Sequence, residues 1–291
     1  MTDKIMQKIT PFLWFDNNAQ EAVKFYVSIF SGAKIINQNP AFATFEIWGL
    51  EFMALNGGPV HKFTPAISFF VNCKSEEEIN GLWKRLSEDG KVMMEFGKYP
   101  FAEKYGWIAD KYGVSWQLML AEASNRVTPL LMYVGKVAGK AEEAMKFYTS
   151  VFSAKGGDSR VVAAIHYENG EMDREENIKH GKFVLAGQEF MAMDSSLEHH
   201  FSFSEAISLF VRCEKQEEVD YFWEKMIGGG GEESQCGWLK DKFGVSWQVI
   251  PRRLNELLAD EDKEKAGRAM QAMLGMKKLV VQDLEKAFNG K

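Results

Sequence analysis

Residues 106–118 read GWIADKYGVSWQL, and residues 237–249 read GWLKDKFGVSWQV. The same Asp, Lys, Gly, Val, Ser, Trp and Gln recur in register, and working outward from this pair uncovers three more. KFYVSIFS at 24–31 returns as KFYTSVFS at 146–153, EFMA at 51–54 returns unchanged at 189–192, and AISFFVNC at 66–73 returns as AISLFVRC at 206–213. Trp83 returns as Trp223 in the register of that last pair. Four anchors in one order make the chain a tandem duplication, and a repeat has to be recognised before local structure is read. The copies span 1–125 and 126–251, with a polar seam at Glu122–Arg126 and an unmatched tail at 252–291.

Spacing between anchors locates where the copies differ. The second copy gains residues around Ile165–Lys182, where Asn169-Gly170 signals a hairpin turn. It loses residues opposite KYPFAEKY of the first copy. Insertions and deletions of this kind fall in surface connections.

Within each copy two similar halves follow one another. In the first, Ile9–Phe15 reads as a strand, and residues from Asn17 to Phe30 carry Ala19, Ala22, Val23, Tyr26, Ile29 and Phe30 at helical spacing. Asn18 stands three residues before Glu21 in a capping-box-like start, and Gly32 lies just past the end. Strands are predicted near Lys34–Asn37, Ala41–Trp48 and Glu51–Leu55, set apart by Pro40 and Gly49. The second half opens with a strand at Ala66–Asn72 and a capping box at Ser75-x-x-Glu78. The tail reads as helices. The fold class is therefore α+β, built from four β-α-β-β-β units.

Composition narrows the function classes. The chain has 291 residues, a net charge of −6 and 46% hydrophobic residues, as expected of a globular protein with room for real cores. The acidic balance argues against a nucleic-acid or anionic-membrane partner. The opening MTDKIMQKITPFLWF lacks the apolar stretch of a signal peptide, so a cytoplasmic location is expected. Cys73, Cys213 and Cys236 form neither a C-x-x-C motif nor an even set, so they support neither a zinc knuckle nor a disulfide framework.

Paired β-α-β-β-β units resemble the vicinal oxygen chelate (glyoxalase/bleomycin-resistance/dioxygenase) superfamily. The closer resemblance is to its PhnB-like branch, whose domain is labelled 3-demethylubiquinone-9 3-methyltransferase. It is carried by PFLWFD (11–16), EAVKFYVSIF (21–30), FMALNGGP (52–59), AISFFVNC (66–73), CGWLKDKFGVSWQVIP (236–251) and the tail segment 268–288. The resemblance implies two glyoxalase-like domains whose paired units form open β-cups that bind a metal or a small molecule. It also implies a pseudo-dimeric monomer, or a homodimer of such chains.

Metal-using members of the superfamily place a histidine at the start of the second unit's opening strand. Here that position is Ala66 or Ala206, and the opening strand of the first unit offers Thr10-Pro11 or Thr128-Pro129. Where a glutamate ligand would sit on the last strand there is Gln117 or Gln248, and a neutral amide is a poor anchor for a divalent ion. No metal and no cofactor are expected. His166 and His180 flank the inserted hairpin, with Glu171, Asp173, Glu175 and Glu176 close in sequence, and read as a solvated charged hairpin.

Strand alternation puts Ser115 with Gln117, and Ser246 with Gln248, on one face, and the resemblance places that face inside the cup. With Trp14, Trp107 and Trp238, and with Met132 where the first copy has Trp14, these are the candidate ligand contacts. Asp110-Lys111 and Asp241-Lys242, each leading to a glycine, read as turn chemistry. The methyltransferase label is not supported by a nucleotide-binding signature. The strand-to-helix turn Phe15-Asp16-Asn17-Asn18 has no glycine, and Gly228–Gly231 reads as a helix exit.

The expected function is thus a protein that binds a small organic molecule in metal-less cups. One alternative is a metal-dependent lyase, isomerase or dioxygenase of the same superfamily. Another is an interaction protein acting through Met270, Met273, Leu274 and Met276 of the tail.

Overall fold

A computed structural model describes residues 7–121 and 124–291, so the first six residues and positions 122–123 of the seam lie outside the described residues. The first half-copy holds β1 (Ile9–Phe15), α1 (Ala19–Ile29), β2 (Lys34–Gln38), β3 (Phe42–Ile47) and β4 (Leu50–Asn56). The second holds β5 (Ile67–Cys73), α2 (Glu76–Ser87), β6 (Lys91–Tyr99), β7 (Ala102–Ala109) and β8 (Ser115–Leu120). The third holds β9 (Arg126–Val134), α3 (Ala141–Ser153), β10 (Arg160–His166), β11 (Ile178–Leu185) and β12 (Gln188–Ser195). The fourth holds β13 (Ile207–Cys213), α4 (Gln216–Ile227), β14 (Glu232–Glu233), β15 (Trp238–Lys240) and β16 (Ser246–Pro251). The tail folds as α5 (Arg252–Leu258), α6 (Lys263–Leu274) and α7 (Val281–Phe288).

In every half-copy the first strand pairs parallel with the last, and the helix supplies the crossover that a parallel pair needs. Strands β5–β12 form one eight-stranded sheet that takes one half from each copy. It runs β10-β11-β12-β9-β5-β8-β7-β6, joined across the copies by antiparallel pairing of Ile67 with Leu131 through Asn72 with Arg126.

By internal contacts the chain divides into two compact units. The larger comprises Pro11–Ser153 and Gly157–Ile207, and the smaller comprises Ser208–Lys291 with Ala154–Gly156 and residues 7–10.

In the larger unit, alternation sends one side of each strand to the helices. Leu13, Phe15, Phe45, Phe52, Phe69, Val71, Trp116 and Leu118 pack there against Ala22, Val23 and Tyr26 of α1 and Ile79 and Leu82 of α2. The predicted stripe of α1 is buried at Ala19, Ala22, Val23 and Tyr26. Its predicted cap is corrected: the Asn18 side chain makes no capping bond. The Ala19 amide instead donates to Asn56 Oδ1 at 2.8 Å, and at the equivalent place in the second copy Asp194 Oδ1 accepts from Ala141 N at 3.1 Å. A strand end 37 residues away thus supplies the cap, which local spacing cannot reveal. Ser75 does cap α2, its Oγ accepting from Glu78 N at 3.3 Å.

The Asp-Lys-x-Gly segments are turns. Asp110 Oδ1 accepts from the amides of Tyr112 and Val114, and Gly113 takes φ +90°. Asp241 makes the same bonds to Phe243 N and Val245 N.

In the smaller unit the residues lost from the second copy reduce the β6–β7 hairpin to the short β14–β15 pair. The tail takes up the exposed backbone: Cys236 N donates to Met276 O at 2.7 Å and Gly237 N to Lys277 O at 2.8 Å. Gln216 at the start of α4 clasps the same segment, donating to Leu279 O and accepting from Val281 N. Leu254, Leu257, Leu279 and Leu284 are buried, whereas Met270 and Leu274 are exposed.

No described helix is long and apolar enough to cross a membrane.

Candidate ligand-binding face

The side of the β5–β12 sheet away from the helices carries a second apolar cluster. Phe70, Tyr105, Trp107, Leu130, Met132, Val134 and Met191 form it, with Met93, Met94, Met119, Met193, Tyr99 and Phe201 packed around them. Each comes from the strand parity opposite to the helix-side core: Trp116 and Leu118 face the helices, so Ser115, Gln117 and Met119 face this cluster.

Polar groups are threaded through it in pairs. Gln117 is buried, its Oε1 accepting from Tyr105 Oη at 2.7 Å and its Nε2 donating to Ser68 Oγ at 2.9 Å. Trp107 Nε1 donates to Ser115 Oγ at 2.7 Å. Burial pushes the Tyr105 hydroxyl well above the ordinary phenol range, so it stays a donor to Gln117. The structure thus brings Trp107, Ser115, Gln117 and Met132 together on one face.

The other candidates lie elsewhere. Trp14 on β1 is fastened at its edges, its Nε1 donating to Gly58 O at 2.9 Å and its ring standing edge-on to His61 at 5.0 Å. The indole lies so close to Gly57 that a Cβ there would come within 2.0 Å of it, which explains a glycine at that position. On the smaller unit, Trp238 of β15 is paired with Gln248 of β16. Gln248 Nε2 donates to Ser208 Oγ at 2.9 Å, repeating the Gln117–Ser68 bond. Tyr105 has no counterpart there, because the matching position is Cys236. Ser246 Oγ is buried without a hydrogen-bond partner, unlike Ser115.

The donor set does not fit the metal that the resemblance implies. Ala66 and Ala206 are fully buried where a histidine ligand would stand, and the Gln117 amide is neutral and bonded once at each atom, which leaves a lone pair and an N–H for an organic guest but no charged ligand for an ion. Among the described residues no group of three or more His, Cys, Asp or Glu side chains could hold an ion. His180 pairs across the inserted hairpin with Ile165, while His166 binds Glu176 O at 3.1 Å and faces Glu142 at 3.8 Å.

The thiols are not poised for nucleophilic work. Burial pushes Cys73 and Cys213 up to about 12, whereas Cys236 is only half-buried. Iodoacetamide should add once to the native protein, at Cys236, and three times after denaturation, as read by intact mass. A second native adduct would show that a strand-end thiol opens to solvent.

The profile of the 3-demethylubiquinone-9 3-methyltransferase family matches residues 7–119 and again 125–250. The chain belongs to this family. Its two matches fall on the two copies, so membership and duplication are one observation. A PhnB protein from Bacillus cereus, carrying the same family description, is 44% identical over 40% of this chain and 100% of its own, with a TM-score of 0.37. Glyoxalase I from Zea mays is 10% identical over 82% of this chain and 92% of its own, with a TM-score of 0.53. The second likeness shows the shared vicinal oxygen chelate fold. No curated protein matches the sequence.

A serine–histidine pair that strand alternation and spacing do not reveal stands in the second copy. Ser195 closes β12 with its Oγ 2.8 Å from His199 Nε2, and His199 lies against Phe201 at the edge of the apolar cluster. The signal was present as a comparison between copies: Ser195 stands where the first copy has Gly57.

Proposed function

We propose that the protein binds a small organic molecule, without a metal, on the helix-free face of the β5–β12 sheet. The observation that supports this reading is the second apolar cluster. A domain normally assembles one contiguous core, and this unit has another on the opposite side of the same sheet. Methionines at Met93, Met94, Met119, Met132, Met191 and Met193 give that cluster unbranched side chains able to repack around a guest. Tyr105, Trp107 and Phe70 supply flat surfaces, and the Gln117 and Ser115 pairs supply few, fixed polar contacts. Mostly apolar linings with sparse polar groups are the usual make-up of small-molecule sites.

A thermal-shift screen against planar organic compounds tests the proposal, since anything that binds only the native state raises its apparent stability. Stabilising compounds are expected, and Gln117→Ala should weaken them by about tenfold, the worth of one buried hydrogen bond at the upper end of its range. No stabilising compound, or shifts unchanged in Gln117→Ala, would count against it.

A further inference from the structure

The two copies place different chemistry at the same point. In the first copy the inner-face residue of the opening strand is Trp14, the residue after the last strand is Gly57, and the loop carries His61. In the second the three positions are Met132, Ser195 and His199. The indole requires the glycine, because any Cβ at Gly57 would overlap the ring. The second copy has neither, and its histidine bonds to the Ser195 hydroxyl.

Ser195 shares strand parity with Met191 and Met193, which face the apolar cluster, while Asp194 points the other way to cap α3. The pair therefore stands at the end of the proposed ligand face. Its valences can be counted. A serine hydroxyl has one hydrogen and two lone pairs. Leu197 N uses one lone pair at 3.4 Å, and His199 Nε2 uses either the hydrogen or the other lone pair, depending on its tautomer. Either way one valence is left, a lone pair in the first case and a hydrogen in the second. A partner that can both donate and accept fits both cases, and a hydroxyl does so. Burial holds the His199 imidazole below its ordinary range, while the nearby Asp173 charge pulls the other way. That charge also makes the spot inhospitable to a carboxylate.

We propose that Ser195 and His199 form the polar end of the site and select a planar molecule bearing a neutral hydroxyl, such as a phenol. This rests on the ligand face proposed above and names its substrate class.

Two probes of one shape test it, 4-nitrophenol and nitrobenzene, which lacks the hydroxyl. With binding measured by calorimetry below the pH at which the phenol ionises, wild type should prefer 4-nitrophenol by about tenfold, one hydrogen bond's worth. Ser195→Gly, which installs the first copy's residue, and His199→Gln should each bring the ratio near one while nitrobenzene affinity holds. Because the readout is a ratio within one variant, a general loss of stability does not imitate it. Equal affinity in wild type, no binding of 4-nitrophenol, or a preference that survives both substitutions would overturn the proposal. If the preference survives both but Gln117→Ala weakens both probes, the face stands and only the selecting pair falls.

Discussion

Deleting the chain from Leu254 onward should abolish the folded state of the smaller unit, giving aggregated or unfolded protein. The deletion removes Leu254, Leu257, Leu279 and Leu284, all buried, and burial of each leucine contributes about 1.5–3 kcal/mol. Part of that burial is among the tail helices themselves, so the loss to the remainder is smaller than the sum. The polar loss adds to it. Cys236 N and Gly237 N lose their acceptors on Met276 and Lys277, and β15 is left as a three-residue strand flanked only by β16 and the two residues of β14. Total stabilities of domains are about 5–15 kcal/mol, so losses of this size are decisive. Size-exclusion chromatography with a thermal melt checks the outcome. A monodisperse product melting cooperatively would show that the tail is dispensable for folding, and would favour a partner-docking role centred on the exposed Met270 and Leu274.

Asp110→Ala should be the most damaging point substitution in the larger unit. Its Oδ2 accepts from Tyr26 Oη and Trp116 Nε1, both at 2.8 Å, while Oδ1 holds the turn amides of Tyr112 and Val114. Alanine leaves buried donors unpaired, each costing about 1–3 kcal/mol, so a loss of at least about 3 kcal/mol is expected. Asparagine should recover only part of this, since its amide nitrogen cannot accept from either pair of donors. Burial alone pushes the Asp110 carboxyl up, and the four donors oppose that. Urea unfolding monitored by tryptophan fluorescence measures the difference. A loss under about 1 kcal/mol, the range of ordinary surface changes, would mean the network is not what fixes the turn.

These two expectations show which parts of the molecule the sequence could specify. The repeat, the β-α-β-β-β plan and the strand alternation were legible because they are local and periodic: Trp116 and Gln117 had to face opposite ways wherever the strand lay. The turn role of Asp110 was legible from Asp-Lys-x-Gly spacing. That Tyr26 of α1 completes its shell, 84 residues away, was not. Nor was the capping of α1 by Asn56, because Asn18 satisfies the local pattern while a distant strand end takes the bond. The candidate face was half legible. Sequence placed Ser115 and Gln117 together, but Tyr105 and Ser68, their buried neighbours, emerge only from strand register. Trp14 read as a planar contact from its place on the opening strand, and only the fold shows its indole bonded to Gly58 O and edge-on to His61.

Uptake of an organic molecule on the helix-free face of the β5–β12 sheet is made directly observable by the methionines of that face. Of fifteen methionines in the chain, Met93, Met94, Met119, Met132, Met191 and Met193 belong to this face. A spectrum of protein labelled with carbon-13 at the methionine methyls, titrated with compounds that stabilise it against heat, should move the resonances of these six. Met270, Met273 and Met276 of the tail should stay still. Shifts confined to the tail methionines, with the six unmoved at saturation, would contradict the account.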